Sequence, residues 1–310
     1  MRKEEFYFDS ADGLTKIRAM RYMPEGEVKA ILQIAHGMVE FIDRYEGFAE
    51  YLTGKGYLVT GNDHLGHGAS VNSKEDWGYF SEKDGYKNVL KDMVMLTHLT
   101  KKLYPGKPYF LLGHSMGSFF CRLYLIKHGE ELDGAIVMGT GQQEKGMLGA
   151  AKFLTKTVAT FKGWKHRSRF INSLALGSYN KKWEPSETHC DWLTRNDEIV
   201  NWYVHEPRCT FIFTTNGYYN LFSTIGEIID KDNVAKMPKE LPVLITSGAE
   251  DPVGNFGKDP KAVADMFKEA GMKDVTLKLY ENDRHEILNE LDKDTVYDDI
   301  YKWLEAKRKA

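Results

Sequence analysis

The stretch LLGHSMGSFF, Leu111 to Phe120, sets a polar serine between an apolar run and an aromatic one, with a glycine two residues to either side. PYFLLGH (108–114) reads as a strand covered on both faces, and MGSFFCRLYLIKHG (116–129) reads as a helix ending in glycine. Gly113, Ser115 and Gly117 therefore fall on a sharp strand-to-helix turn, the context that gives the Gly-x-Ser-x-Gly spacing its meaning. Such a turn strains the serine backbone, and its flanking positions must be small because strand and helix nearly touch there. The hydroxyl is lifted above the sheet, and the N–H of Met116 is left at a helix start, aimed at an incoming oxyanion. The competing reading is a glycine-flanked turn with an incidental serine.

Outward from this turn, strand and helix alternate. VKAILQIAHG (28–37), YLVTGND (57–63) and LDGAIVMG (132–139) are short apolar runs rich in Val, Ile and Leu. Between them lie helical stretches such as RYEGFAEYLTGKG (44–56) and GYKNVLKDMVMLTHLTKKLYPG (85–106). This order predicts a parallel sheet with right-handed crossovers, preceded by an opening hairpin around Asp12 and Gly13. The rhythm breaks near residue 142 and resumes near 240 with LPVLITSG, a helix near 259–270, the strand VTLKLY and a last helix, DTVYDDIYKWLEAKRK. The interruption holds four of the six tryptophans, too long for a loop and too apolar for disorder. We expect residues 1–141 and 240–310 to form the core and 142–239 a mainly helical insertion.

The 310 residues are 42% hydrophobic and carry a net charge of −3, which describes a globular chain with no pull toward nucleic acid. No run reaches the roughly 18 uninterrupted apolar residues of a spanning helix, and the opening MRKEEFYFDS lacks the apolar centre of a signal peptide. A cytoplasmic protein is the expectation. Cys121, Cys190 and Cys209 lack metal-ligand spacing and an even count, and read as packing residues.

A serine nucleophile needs a base, and the base needs an acid to orient it. In the chain order serine, acid, histidine, the candidates are Asp251 in ITSGAEDPVG and His285 in LKLYENDRHEILNE, both just past predicted strands. Glu250 and Asp283 are rival acids; Asp251 fits the Gly-x-x-Asp loop from Gly248, and Asp283 stands only two residues from the histidine. His114 reads as structural, and His64 and His67 as residues of a glycine-rich loop that holds the floor of the site. His36 and Gly37 in IAHGMVEF allow close backbone approach, so the N–H of Met38 is expected to join that of Met116 as second oxyanion donor.

Together HGMVEFIDRY, NDHLGHGAS, LLGHSMG, SGAEDPVG and YENDRHEILNE resemble, in order, the motifs of the α/β-hydrolase superfamily. More narrowly, they resemble its monoacylglycerol lipase and lysophospholipase branch, grouped with serine-aminopeptidase-like hydrolases. The resemblance implies a mostly parallel eight-stranded sheet flanked by helices, with a helical cap inserted after the sixth strand. It also implies ester hydrolysis through an acyl-enzyme, without metal or organic cofactor. Gly37, Glu40 and Arg44 match positions used around the polar head-group pocket. Val39 and Phe41 depart from the branch, standing where a second glycine and a second histidine are common.

In the insertion, MLGAAKFLTKTVATF places Leu154, Val158 and Phe161 on one helical face and Lys152 and Lys156 on the other. An apolar cap over a serine site favours a fatty acyl or aromatic group. From Lys145 to Lys182 there are nine lysines and arginines and no Asp or Glu, a pattern that suits an anionic lipid surface, a phosphate-bearing lysolipid or a solvated helix face. The expected substrate is a small-molecule ester or monoacyl lipid. A peptidase or thioesterase on the same triad, and a catalytically silent binding fold, are the alternatives.

Overall fold

The computed structural model describes residues 1–309. Its single sheet contains β1 (Arg2–Asp9), β2 (Lys16–Met23), β3 (Ala30–Ala35), β4 (Tyr57–Asn62), β5 (Tyr109–His114), β6 (Gly134–Met138), β7 (Val243–Gly248) and β8 (Val275–Tyr280). The strands lie in the order β1-β2-β4-β3-β5-β6-β7-β8. β1 and β2 form the expected antiparallel hairpin, and β2 also pairs antiparallel with β4. All later pairs are parallel. The order runs back from β4 to β3 and then outward through β5, so the carboxyl end of β5 lies at the topological switch point where open sheets place their sites.

The helices of the core are α1 (Glu46–Gly54), α2 (Gly85–Leu103) and α3 (Met116–His128). Between β6 and β7 follow α4 (Lys145–Lys162), α5 (Arg169–Leu176), α6 (Asp197–His205), α7 (Thr215–Ile228) and the single turn α8 (Lys231–Val234). The chain closes with α9 (Lys258–Glu269) and α10 (Lys293–Arg308). Alternate residues of β5 serve opposite cores, which is why its sequence is apolar throughout. Tyr109 and Leu111 join one core with α2, α3 and α9, whereas Phe110 and Leu112 join the other with α1 and α10. All four are fully buried. Among the described residues no helix is long and apolar enough to cross a membrane.

The helices between β6 and β7 sit over the sheet edge, with α7 against both α3 and α4. The buried stripe of α4 is Leu148, Thr155 and Ala159, displaced from the expected face of Leu154, Val158 and Phe161. The small Thr155 and Ala159 let α7 approach closely, which turns Leu154 toward a cavity and leaves Phe161 81% exposed. All three cysteines are buried and unpaired.

Candidate active site

Ser115 occupies the turn between β5 and α3 with φ 53° and ψ −119°, a conformation that L-residues rarely adopt. The strain is held because both neighbours are locked. A Cβ on Gly113 would meet the carbonyl oxygen of Gly117 at 2.2 Å, and one on Gly117 would meet that of Ala35 at 2.0 Å. The Ser115 N–H donates to the Met138 carbonyl at 2.9 Å, tying the turn to the end of β6. Met116 is the first residue of α3, so its N–H has no carbonyl four residues back within the helix.

Asp251 and His285 come from the loops after β7 and β8 and meet by side chains, with His285 Nδ1 2.9 Å from Asp251 Oδ2. Both are buried. Ser247 also donates its hydroxyl to Asp251 Oδ2 at 3.0 Å, and the Val253 N–H donates to Oδ1 at 2.8 Å. Burial works against the charge on Asp251, but the imidazole of His285 and these donors outweigh it, so the carboxyl lies below its usual range. Neither rival acid reaches the ring. Asp283 Oδ1 accepts from Arg195 at 2.7 Å, and Glu250 is paired with Lys182.

On the other side of the serine, the loop after β3 brings Gly37 against Ser115, where an added Cβ would sit 3.1 Å from that of the serine. Gly37, Met38, Ser115, Met116 and His285 line one cavity of about 450 Å³, walled largely by apolar side chains of α4, α5 and α7. Val39 holds φ 58° at the position where the related branch has glycine, and the Tyr203 hydroxyl from α6 donates to its carbonyl at 3.0 Å. Phe41 is buried in a small third core with Cys190, Tyr203 and Cys209, and the Arg208 guanidinium lies 3.8 Å from its ring centre.

Glu40 and Arg44 belong to a buried ionic network beneath this cavity. Glu40 Oε1 accepts from the Gly37 N–H and, at 2.9 Å, from the Tyr45 hydroxyl. Arg44 donates to Glu40 at 2.8 Å and grips Glu286 through two bonds of 2.7 Å. His114 Nδ1 lies 3.2 Å from Glu40 Oε1. Burial opposes charge on both groups, yet the contact with Glu40 raises His114 above the ordinary histidine value, and His114 with Arg44 depresses Glu40. Gly37 and Glu40 touch the main cavity, whereas Arg44 lies behind its wall, satisfied by two carboxylates. The sequence reading missed Glu286. The signal was its place beside His285, since an Arg44 drawn under the site needs a second carboxylate to balance it.

His36, His64 and His67 cluster beside the loop after β3, with ring centres 4.2 Å apart and tilted for the first two, and 5.2 Å apart and edge to face for the first and third. His36 Nε2 accepts the His64 backbone N–H at 2.8 Å, which ties the loop after β3 to the loop after β4.

A strained serine at the switch point, a buried Asp–His pair at the next two strand ends and a helical layer over the sheet define an α/β hydrolase. The profile of the Hydrolase_4 family, described as "Serine aminopeptidase, S33", matches residues 26–292, and the chain belongs to that family. Human monoglyceride lipase is 26% identical over 302 residues, covering 92% of this chain and 86% of its own. A highly thermostable carboxyl esterase from Bacillus coagulans, solved in complex with glycerol, superposes with a TM-score of 0.92 at 27% identity over 99% of each chain. A soluble variant of monoglyceride lipase from Saccharomyces cerevisiae, in complex with a substrate analog, shares the fold with a TM-score of 0.75 at 21% identity, over 98% of this chain and 94% of its own.

Proposed function

We propose that the protein is a serine hydrolase of carboxylic esters, with monoacylglycerols or related monoacyl lipids as substrates, and that Ser115, His285 and Asp251 are its triad. The observation that carries the reading is the strained Ser115 opening with His285 into a single large apolar cavity. Ser115 Oγ attacks the ester carbonyl as His285 takes its proton, and Asp251 orients the ring and balances its charge. The N–H groups of Met38 and Met116 receive the oxyanion, each such donor typically worth roughly 3 kcal/mol in the transition state. The alcohol leaves with the proton from His285, and water then attacks the acyl-enzyme with His285 again as base.

Residues 142–239 act as the cap in this reading and hold the acyl chain. An N-terminal amine of a peptide would need a free carboxylate. The two that line the cavity, Glu40 and Glu286, are already matched by Arg44 and His114, so ester chemistry is favoured over the aminopeptidase activity of the family description. The outer surface of the cap presents Phe153, Phe161 and Phe170 among Lys152, Lys156 and Arg169, which supports contact with an anionic lipid surface. The unpaired cysteines suit a reducing compartment, and a cytoplasmic location is part of the proposal.

The test is hydrolysis of p-nitrophenyl esters from acetyl to palmitoyl, and of a monoacylglycerol, by wild type and Ser115→Ala. We expect kcat/KM to rise with chain length and Ser115→Ala to lose on the order of 10⁴ to 10⁶ in kcat. Equal efficiency on acetyl and long-chain esters would remove the lipid assignment. No turnover, with no labelling by a fluorophosphonate, would remove the enzyme.

A further inference from the structure

The loop that carries His285 is held from outside the core. Between β8 and α10 the chain forms one short 3-10 turn, Ile287–Asn289, and no longer element. The segment just before α6 is stitched along it. The Glu286 N–H donates to the Leu193 carbonyl at 2.7 Å, and the Arg284 guanidinium donates to the Thr194 carbonyl at 3.2 Å. Arg195 reaches back to Asp283 at 2.7 Å and to Glu290 at 3.0 Å.

From this stitched segment one side chain reaches the imidazole itself. The Trp192 ring lies with its centre 5.1 Å from that of His285, the planes tilted by 43°. Trp192 is itself held, since its backbone N–H donates to Asn180 Oδ1 at 3.0 Å and its ring packs on Tyr179 with centres 5.0 Å apart. Both rings line the cavity. The other groups around the imidazole are Asp251 on Nδ1 and His114, whose ring centre is 4.7 Å away and which is backed by Glu40 and Arg44. On the loop itself, Glu286 is held by Arg44 and Arg284 faces the Trp192 segment.

We propose that Trp192 is a positioning residue for the reaction, its indole fixing the ring of His285 and favouring the imidazolium that forms when the Ser115 proton is transferred. The proposal rests on the ester-hydrolase reading. The proton moves from Ser115 Oγ to His285 Nε2 and on to the departing alcohol, and in the second half from water to His285 and back to Ser115, so His285 is cationic between the two transfers of each half-reaction. A cation over an aromatic face in a dry site is stabilised there, and an aliphatic side chain of similar bulk offers no such field. On this account the layer above the sheet takes part in the chemistry as well as enclosing the acyl chain.

The experiment compares Trp192→Leu and Trp192→Phe with wild type on p-nitrophenyl butyrate from pH 5 to 9, with Ser115→Ala alongside. For Trp192→Leu we expect kcat to fall about tenfold with KM nearly unchanged, and the acid limb of the kcat/KM profile to move to lower pH by about half to one unit. Trp192→Phe should recover most of kcat and return the limb toward wild type. A rise in KM alone, a fall in kcat with the limb unmoved, or a Phe variant as impaired as the Leu variant would overturn the proposal. Should circular dichroism show Trp192→Leu unfolded, Trp192→Met takes its place under the same criteria. A wild type without ester turnover would sink the parent reading and this one together, whereas an active wild type matched by Trp192→Leu in kcat and limb would sink this one alone.

Discussion

Ser115 is kept at φ 53° by its neighbours, because nothing in an isolated chain favours that conformation for a serine. Gly117 is the tighter of the two locks, with the carbonyl oxygen of Ala35 at 2.0 Å from where a Cβ would stand. That oxygen is backbone at the end of β3, so it cannot rotate away as a side chain could. Gly117→Ala should therefore push α3 off β3, lowering stability by at least the roughly 1–3 kcal/mol of an overpacked interior. It should also cost most of the esterase activity by displacing Ser115 and the Met116 N–H. Urea unfolding with p-nitrophenyl ester kinetics on the same preparation checks both, and a Gly117→Ala enzyme of wild-type kcat would contradict the close approach.

Among the elements, α2 shows how the layer above the sheet supports the core. Its N-cap, Asp84, is in the left-handed region; its carboxylate pairs with the exposed Lys87 side chain at 2.8 Å and accepts from no backbone N–H of the first turn. The Tyr86 N–H in the first turn instead donates to Asn220 Oδ1 of α7 at 2.9 Å, while Asn220 Nδ2 donates to the Asn216 carbonyl. A cap supplied from another element does the same work as a local one: it satisfies an N–H that the helix cannot. Asn220→Ala should cost about 1–2 kcal/mol in urea denaturation, the usual loss for a removed cap or a buried N–H left alone. Asp84→Asn, at the nominal cap, should change stability little. Equal effects of the two substitutions would show that α7 does not cap α2.

For the whole molecule, the clustered His36, His64 and His67 contribute to the response to acid. All three are fully buried, and burial, aided for His64 by the two neighbouring rings, depresses their affinity for a proton. The unfolded chain protonates near the ordinary histidine value of about 6.5 while the fold excludes the proton, so this stability is present above that pH and is lost as pH falls below it. Asp92, pushed up to about 7 chiefly by burial, titrates with the opposite sign. Comparing His64→Leu with wild type isolates the histidine. The variant should lose stability between pH 6.5 and 5 less steeply, by up to about 1.4 kcal/mol per pH unit for one proton. Urea midpoints across that range measure it, and parallel slopes would mean that His64 takes up its proton within the fold.

Much of this was written locally. Short continuous apolar runs marked the central strands and longer stretches ending in glycine marked most helices of the core, because burial on one or both faces leaves its imprint on consecutive residues. Gly113, Ser115 and Gly117 were legible for the same reason, since a turn that tight tolerates few residue types. Asp251 and His285 could be read as candidates from chain order and strand ends, while their 2.9 Å contact depends on how the loops after β7 and β8 converge. The layer between β6 and β7 was legible only as an apolar, tryptophan-rich and mainly helical insertion. Which face of α4 is buried, that Glu286 balances Arg44, and that Trp192 rests on His285 were decided by tertiary structure. Those contacts join residues as far apart as 242 positions, and no local period records a partner at that distance.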